Sequence, residues 1–227
     1  MITLKNVTTG IISDTQFPGH LDDALDFVLE TGEKWGVQQW VHIGDMFDHH
    51  YMSRFNNELD AFNPIDEWKA ASWEVQKWVK AIPDLTILKG NHDSIPKRQA
   101  ETLGIPTVFL SNLNTVYNLP DTWVWDESAV IFGDCLIDHG LGSNGMYGCK
   151  NTANKLGCSY IQGHTHAHGG MFYLPRPFGN RAALNVGCLV DENKYLARYG
   201  KKFRVPVSLG MGIVKAVDEM YFVRYGG

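Results

Sequence analysis

Five short clusters in this 227-residue chain are built from side chains that bind divalent cations. They are Asp14-Thr15-Gln16, Gly44-Asp45-Met46-Phe47-Asp48, Gly90-Asn91-His92-Asp93, Asp138-His139-Gly140 and Gly163-His164-Thr165-His166. A carboxylate can span two cations, while imidazole and amide oxygen complete a site without excess negative charge. Any one of these residues alone in a loop would ordinarily cap a helix, shape a turn or face water. Their weight comes from position. Each cluster directly follows a short apolar run that reads as a strand, and the carboxyl ends of strands are where open α/β sheets bind ligands. Glycines beside the candidates let the backbone turn sharply and leave the side chains projecting into one crevice.

The elements that must position these groups are legible as alternating patterns. Apolar, β-branched runs predict strands over residues 9–13, 40–43, 85–88, 130–138 (broken at Gly133-Asp134) and 159–162. Between the first two, Leu21, Leu25, Val28 and Leu29 form one face of a helix, with Asp22 and Asp23 near its positive end. A second helix starts with Asn63 as cap and Pro64 at its first position. Asp66 and Glu67 fill its first turn, and Ile65, Trp68, Ser72, Val75 and Val79 form the expected apolar stripe. After residue 170 only strands are expected, over 171–174, 182–189, 210–217 and 221–225. The expected architecture is α/β: a layered sandwich with two mixed β-sheets flanked by helices. Its second sheet would come largely from the C-terminal half, and residues 1–227 would form a single domain.

Composition narrows the function classes. No run approaches the roughly 18 apolar residues of a membrane helix, and the first residues lack a secretory pattern, so a cytoplasmic protein with no membrane partner is expected. Cys135, Cys149, Cys158 and Cys188 contain no C-x-x-C pair, which favours reduced, buried thiols over a zinc knuckle or redox site. The net charge of −5 is uneven: residues 171–227 carry nine basic and four acidic groups, leaving −10 for the rest. Lys201, Lys202 and Arg204 lie in this basic tail and would hold a nucleic-acid backbone if that is the substrate. A solvated surface is the plainer reading.

The ordered set of clusters resembles the calcineurin-like metallophosphoesterase superfamily, whose motifs run D-x-H, G-D-x-x-D, G-N-H-D/E, a later H and G-H-x-H. The resemblance spans residues 14–166, and Leu184-Asn185-Val186-Gly187 is similar to the strand-ending N-x-G that follows the last motif. It implies the calcineurin-like fold and two divalent metal ions. Asp14, Gln16 and His166 would bind one, Asn91, His139 and His164 the other, with Asp45 between them. The reaction so implied is hydrolysis of a phosphate ester by a hydroxide bridging the metals, which also clamp the phosphoryl oxygens. The resemblance places His92 at the leaving oxygen, Asp48 behind it as the orienting carboxylate, and Asp93 as support for the loop. One position departs from the pattern. Gln16 stands where histidine is usual, and a neutral, harder amide ligand favours Mn²⁺ or Mg²⁺ over a strict zinc requirement, with Fe²⁺ and Ni²⁺ also open.

Several further residues are candidates for other roles. His49 could bind a substrate phosphate or belong to a solvated loop. The glycine-rich run from Gly140 to Gly148, with Asn144 at its centre, reads as a substrate-facing loop and resembles that of small bacterial and phage members of the superfamily. His42 reads as a satisfied core histidine, His168 as a rim residue, and Trp68, Trp73 and Trp78 as packing residues. The expected activity is a phosphodiesterase acting on nucleotide or nucleic-acid diesters. The alternatives are a phosphomonoesterase or protein phosphatase, or a non-catalytic scaffold. His49 and Asp93 stand where the protein-phosphatase branch usually has arginine and glutamate.

Overall fold

A computed structural model describes residues 1–53, 63–175, 177, 179–194 and 206–227. Lys201, Lys202 and Arg204 lie outside the described residues. Two six-stranded mixed sheets form the frame. The first has the order β12-β11-β2-β3-β4-β5, from β2 (Thr9–Ile12), β3 (Gln39–His42), β4 (Leu85–Leu88), β5 (Trp123–Asp126), β11 (Gly210–Val214) and β12 (Met220–Arg224). β2 to β5 run parallel, and β11 and β12 close one edge by antiparallel pairing. The second sheet has the order β1-β6-β7-β8-β10-β9, from β1 (Ile2–Thr3), β6 (Ser128–Ile131), β7 (Cys135–Asp138), β8 (Ser159–Gln162), β9 (Gly170–Leu174) and β10 (Arg181–Asn185).

The sheets pack face to face because successive strand residues point to opposite sides. Ile11, Val41, Ile43 and Leu88 meet Ile131, Ile137, Ile161 and Leu184 in an apolar layer between the sheets. Their sequence neighbours Ile12 and Ile87 face outward, onto Val28 of α1 (Ala24–Trp35) and Val75 and Trp78 of α2 (Pro64–Ala81). The far side of the second sheet is covered by α5 (Gly148–Leu156), which buries Cys149 and Ala153 against Tyr160 and Ala183. The result is the expected α/β sandwich. Cys135, Cys149 and Cys188 are buried and all four thiols are free. Among the described residues no helix is long and apolar enough to cross a membrane.

Some details differ from expectation. β11 and β12 join the first sheet rather than the second. The helix at 64–81 is capped as read, with Asn63 accepting from the Ile65 and Asp66 amides at 3.0 and 3.1 Å. However, it buries Glu67, Ala71, Val75 and Trp78 and leaves Ile65 and Trp68 exposed. The stripe is rotated because Trp78 packs edge-on against Phe17. β10 stops at Asn185, short of 189, because Asn185 turns its side chain back to accept the Gly187 amide at 3.0 Å and Gly187 enters left-handed backbone at φ 67°.

Candidate metal centre and active site

The cation-binding clusters gather at the carboxyl ends of the strands they follow: Asp14 and Gln16 after β2, Asp45 after β3, Asn91 after β4, His139 after β7, His164 and His166 after β8. The loops are stitched to each other beyond the ladder. The Asp14 amide donates to the Gly44 carbonyl at 3.0 Å and the Gln16 amide to the Asp45 carbonyl at 2.9 Å. Gly90 is required by close approach, since a Cβ there would run into the Asp45 carboxylate.

His139 is the hub of one half of the site. Its Nδ1 lies 2.9 Å from the Ile43 carbonyl, which fixes the proton on that nitrogen and turns the Nε2 lone pair inward in the neutral ring. Around Nε2 stand Asn91 Oδ1 at 3.1 Å, Asp45 Oδ2 at 3.2 Å and His164 Nδ1 at 3.2 Å. One proton could serve only one of these acceptors, whereas a cation satisfies all four. The donor atoms of Asp45, His139 and His164 lie within 4.8 Å of one another, so the residues present fit a divalent metal. Without a cation, burial opposes charge on His139, but the Asp45 and Asp14 carboxylates push it up to about 10.

Asp14 anchors the other half. Its Oδ1 lies 3.0 Å from His166 Nε2, and its Oδ2 accepts the His164 amide at 2.9 Å and the Ser13 hydroxyl. Burial works against ionisation of Asp14, yet His166 beside it holds the carboxyl below its ordinary value. Gln16 is buried and its side-chain nitrogen has no partner. Turning the amide over would place its oxygen there instead, a donor set suited to a cation beside Asp14 and His166.

His92 stands apart from these candidate metal-binding groups. Its amide donates to Asp45 Oδ1 at 2.7 Å, while its ring Nδ1 lies 2.8 Å from both the backbone oxygen and Oδ1 of Asp48. Nε2 faces the site, 4.0 Å from Asp45 Oδ2. Burial alone would lower this histidine, but Asp45 and Asp48 push it up to about 10. Asp93 accepts the Phe47 and Gly90 amides at 3.1 and 2.9 Å, tying together the loops after β3 and β4.

His49, expected at the substrate, is only 5 % exposed and has both ring nitrogens engaged. Nδ1 lies 3.0 Å from the His92 carbonyl and Nε2 lies 2.9 Å from the Tyr117 hydroxyl. It holds the His92 loop from behind. Asn144 is exposed on the loop that leads from His139 into α5. His42 is satisfied in the core by the Gly44 amide at 3.2 Å and Thr15 at 3.0 Å. Sequence reasoning missed Ser13, Tyr117 and Glu67. The Glu67 carboxylate accepts the His50 and Tyr51 amides at 2.8 and 3.1 Å and pins the turn after Asp48. Ser13 could have been found as the neighbour of Asp14, but nothing near Tyr117 or Glu67 in sequence marks either as part of a site.

A two-sheet sandwich with carboxylate, amide and imidazole groups converging at its strand ends has the form of a metal-dependent phosphoesterase. The family model for calcineurin-like phosphoesterases matches residues 7–168, and the chain belongs to that family. No curated protein matches the chain. Among solved structures, Vps29 from Cryptosporidium parvum aligns at TM-score 0.49 and 12% identity, covering 97% of this chain and 93% of that one. The nuclease MPE of Pseudomonas putida aligns at 0.40 and 10%, covering 94% and 86%. The E. coli phosphoesterase Yfce aligns at 0.39 and 16%, covering 94% and 96%.

Proposed function

We propose that this chain, a single domain over its whole length, is a dinuclear phosphodiesterase acting on nucleotide or nucleic-acid diesters in the cytoplasm. The observation that carries the metal-dependent reading is the convergence of Asp45, Asn91, His139 and His164 around one point, with the unliganded His92–Asp48 pair beside it. Asp14, Gln16 and His166 would hold one cation and Asn91, His139 and His164 the other, with Asp45 shared. When bound, the cations supply Lewis acidity to the phosphoryl oxygens and make water nucleophilic near neutral pH. The neutral Gln16 amide favours Mn²⁺.

The chain's own residues supply the proton. His92 is oriented by Asp48 at Nδ1, which leaves Nε2 to donate to the departing ester oxygen. The Tyr117–His49 pair fixes the His92 main chain from behind, and Asp93 holds the adjoining turn. The exposed loop carrying Asn144 follows His139 in the chain and would face the substrate's second ester group. Turnover of bis-nitrophenyl phosphate by Mn²⁺-loaded protein is the test. No hydrolysis of either the bis or the mono ester with any divalent metal would overturn the catalytic reading, and cleavage of the mono ester alone would overturn the diester preference.

A further inference from the structure

The loop that carries Asn91 and His92 is held from behind by His49 and by Tyr117 at the end of α4 (Leu113–Tyr117), and it continues directly into α3 (Ile95–Thr102). Ser94 joins loop to helix: its hydroxyl donates to the Gly90 carbonyl at 3.0 Å, and its own carbonyl accepts the Arg98 amide at 3.1 Å. That helical turn brings Arg98 back over the loop, where Nη2 donates to the Asn91 carbonyl at 2.8 Å. The amide of the same peptide unit, on His92, donates to Asp45 Oδ1 at 2.7 Å. A trans peptide points its N–H and C=O in opposite directions, so Arg98 and Asp45 meet opposite edges of one peptide unit. The guanidinium group therefore has a nitrogen no farther than about 8 Å from the carboxylate proposed to be shared by two cations.

Arg98 is exposed, and among the described residues it is the one Lys or Arg of the 89–98 stretch without an acidic partner. Lys89 lies 3.2 Å from Glu127, and Lys97 lies 3.9 Å from Glu101. A guanidinium holds its N–H donors in a rigid fork, of which the Asn91 carbonyl takes one. That bond orients the group without neutralising it, so the charge and the remaining donors are left for an anion. Building on the phosphodiesterase reading, we infer that Arg98 binds a second phosphate of the substrate, one sugar removed from the phosphate under attack. The preferred substrate is then a nucleic-acid strand rather than an isolated diester. The separation from Asp45 is one that a single sugar unit bridges, and the planar fork matches the oxygens of a phosphate.

The test compares kcat/KM of the Mn²⁺-loaded full chain on thymidine 5′-(4-nitrophenyl phosphate) with and without a 3′-phosphate, and on the 3′-nitrophenyl ester with and without a 5′-phosphate. In one of the two pairs the added phosphate should raise kcat/KM at least about tenfold, the gain expected of a charge-assisted hydrogen bond. That ratio should fall to near one in Arg98→Gln and to an intermediate value in Arg98→Lys, which keeps the charge and loses the fork. Because the ratio is taken within each variant, any general loss from the freed Asn91 carbonyl cancels. A wild-type ratio near one in both pairs, or a ratio that Arg98→Gln leaves unchanged, overturns the role of Arg98 and leaves the phosphodiesterase reading standing. If no ester is cleaved, that reading fails, and calorimetric titration of thymidine 3′,5′-bisphosphate into the wild type and Arg98→Gln decides for Arg98 separately. Affinity weaker by about tenfold in the variant supports the assignment. Equal affinity, or no binding to the wild type, overturns it.

Discussion

Replacing His92 by alanine should separate proton donation from metal binding. The ring touches Asp48 at 2.8 Å and reaches no closer than 4.0 Å to Asp45 through Nε2, whereas the link that orients Asp45 is the residue-92 amide at 2.7 Å, which alanine keeps. Metal content should therefore stay near that of the wild type. Losing a positioned acid costs on the order of 10²- to 10⁴-fold in rate, about 3–5 kcal/mol of barrier. That loss should appear in full for an ester with an alkoxide leaving group and shrink for nitrophenyl esters, whose leaving group needs no proton. The variant should also be less stable by about 3–5 kcal/mol, because Asp48 is fully buried and loses its only ion-pair partner among the described residues. Adding Asp48→Asn should recover melting temperature without recovering rate. His164→Ala, by contrast, removes one of the converging metal donors and should lower both metal content and turnover of every ester. Elemental analysis and kcat/KM with good and poor leaving groups make the comparison. Equal metal loss in the two variants, or a leaving-group-independent defect in His92→Ala, would refute the division of labour.

Chelation should abolish hydrolysis, and Mn²⁺ should restore it at least as well as Zn²⁺; Gln16→His should shift the preference toward Zn²⁺, measured by metal titration of stripped protein. Tyr117→Phe removes the hydroxyl that meets His49 and should lower kcat several-fold with metal content unchanged, read by single-turnover kinetics and elemental analysis. Burial pushes Glu67 up from 4.5 to about 7 against the two amides that donate to it. The folded chain thus retains a proton that the unfolded chain has released between those values, so stability falls as pH rises through that window. The effect is on the order of 2–3 kcal/mol and should be missing in Glu67→Gln, compared by urea denaturation at pH 4.5 and 7.5.

The strands that carry the site were readable because each is a short apolar run ending in a polar, cation-binding cluster. β4 and β8 fall where the pattern places them, β2 ends one residue early, and β3 is shifted by one residue toward the N-terminus. The helices of small or polar residues were not readable. α5 buries only Gly148, Cys149 and Ala153, so it presents no wide apolar stripe, and its first residues continue a glycine-rich loop. The pairing of β11 with β2 joins segments about 200 residues apart, and short-range pattern carries no information about such partners. At the site, residue types announced the cation-binding groups but not what stands behind them. Tyr117 meets His49 across 68 positions, and Glu67 reads as an ordinary first-turn acid on a capped helix.

The backbone explains how these loops present their side chains. Asp14, Gln16, Asp45, His49 and His164 all occupy left-handed backbone, with φ between 46° and 64°. For a residue with a Cβ that conformation costs roughly 1–2 kcal/mol, less for Asp, so it persists only where surroundings over-determine it. Here they do: the amides of Asp14 and Gln16 are spent on the neighbouring loop, and the Asp14 carbonyl accepts the Leu189 amide at 3.2 Å. Buried apolar residues such as Ile12, Ile43, Met46 and Phe47 hold the flanking chain in place. The fold itself thus constrains these side chains. The same arrangement sets the lone pairs of Asp45, Asn91, His139 and His164 against one another, a conflict that protonation of His139 relieves in part and a divalent ion relieves fully. If a divalent ion binds there as proposed, folding and metal binding would be linked, and the ion would offset what the crowded acceptors cost.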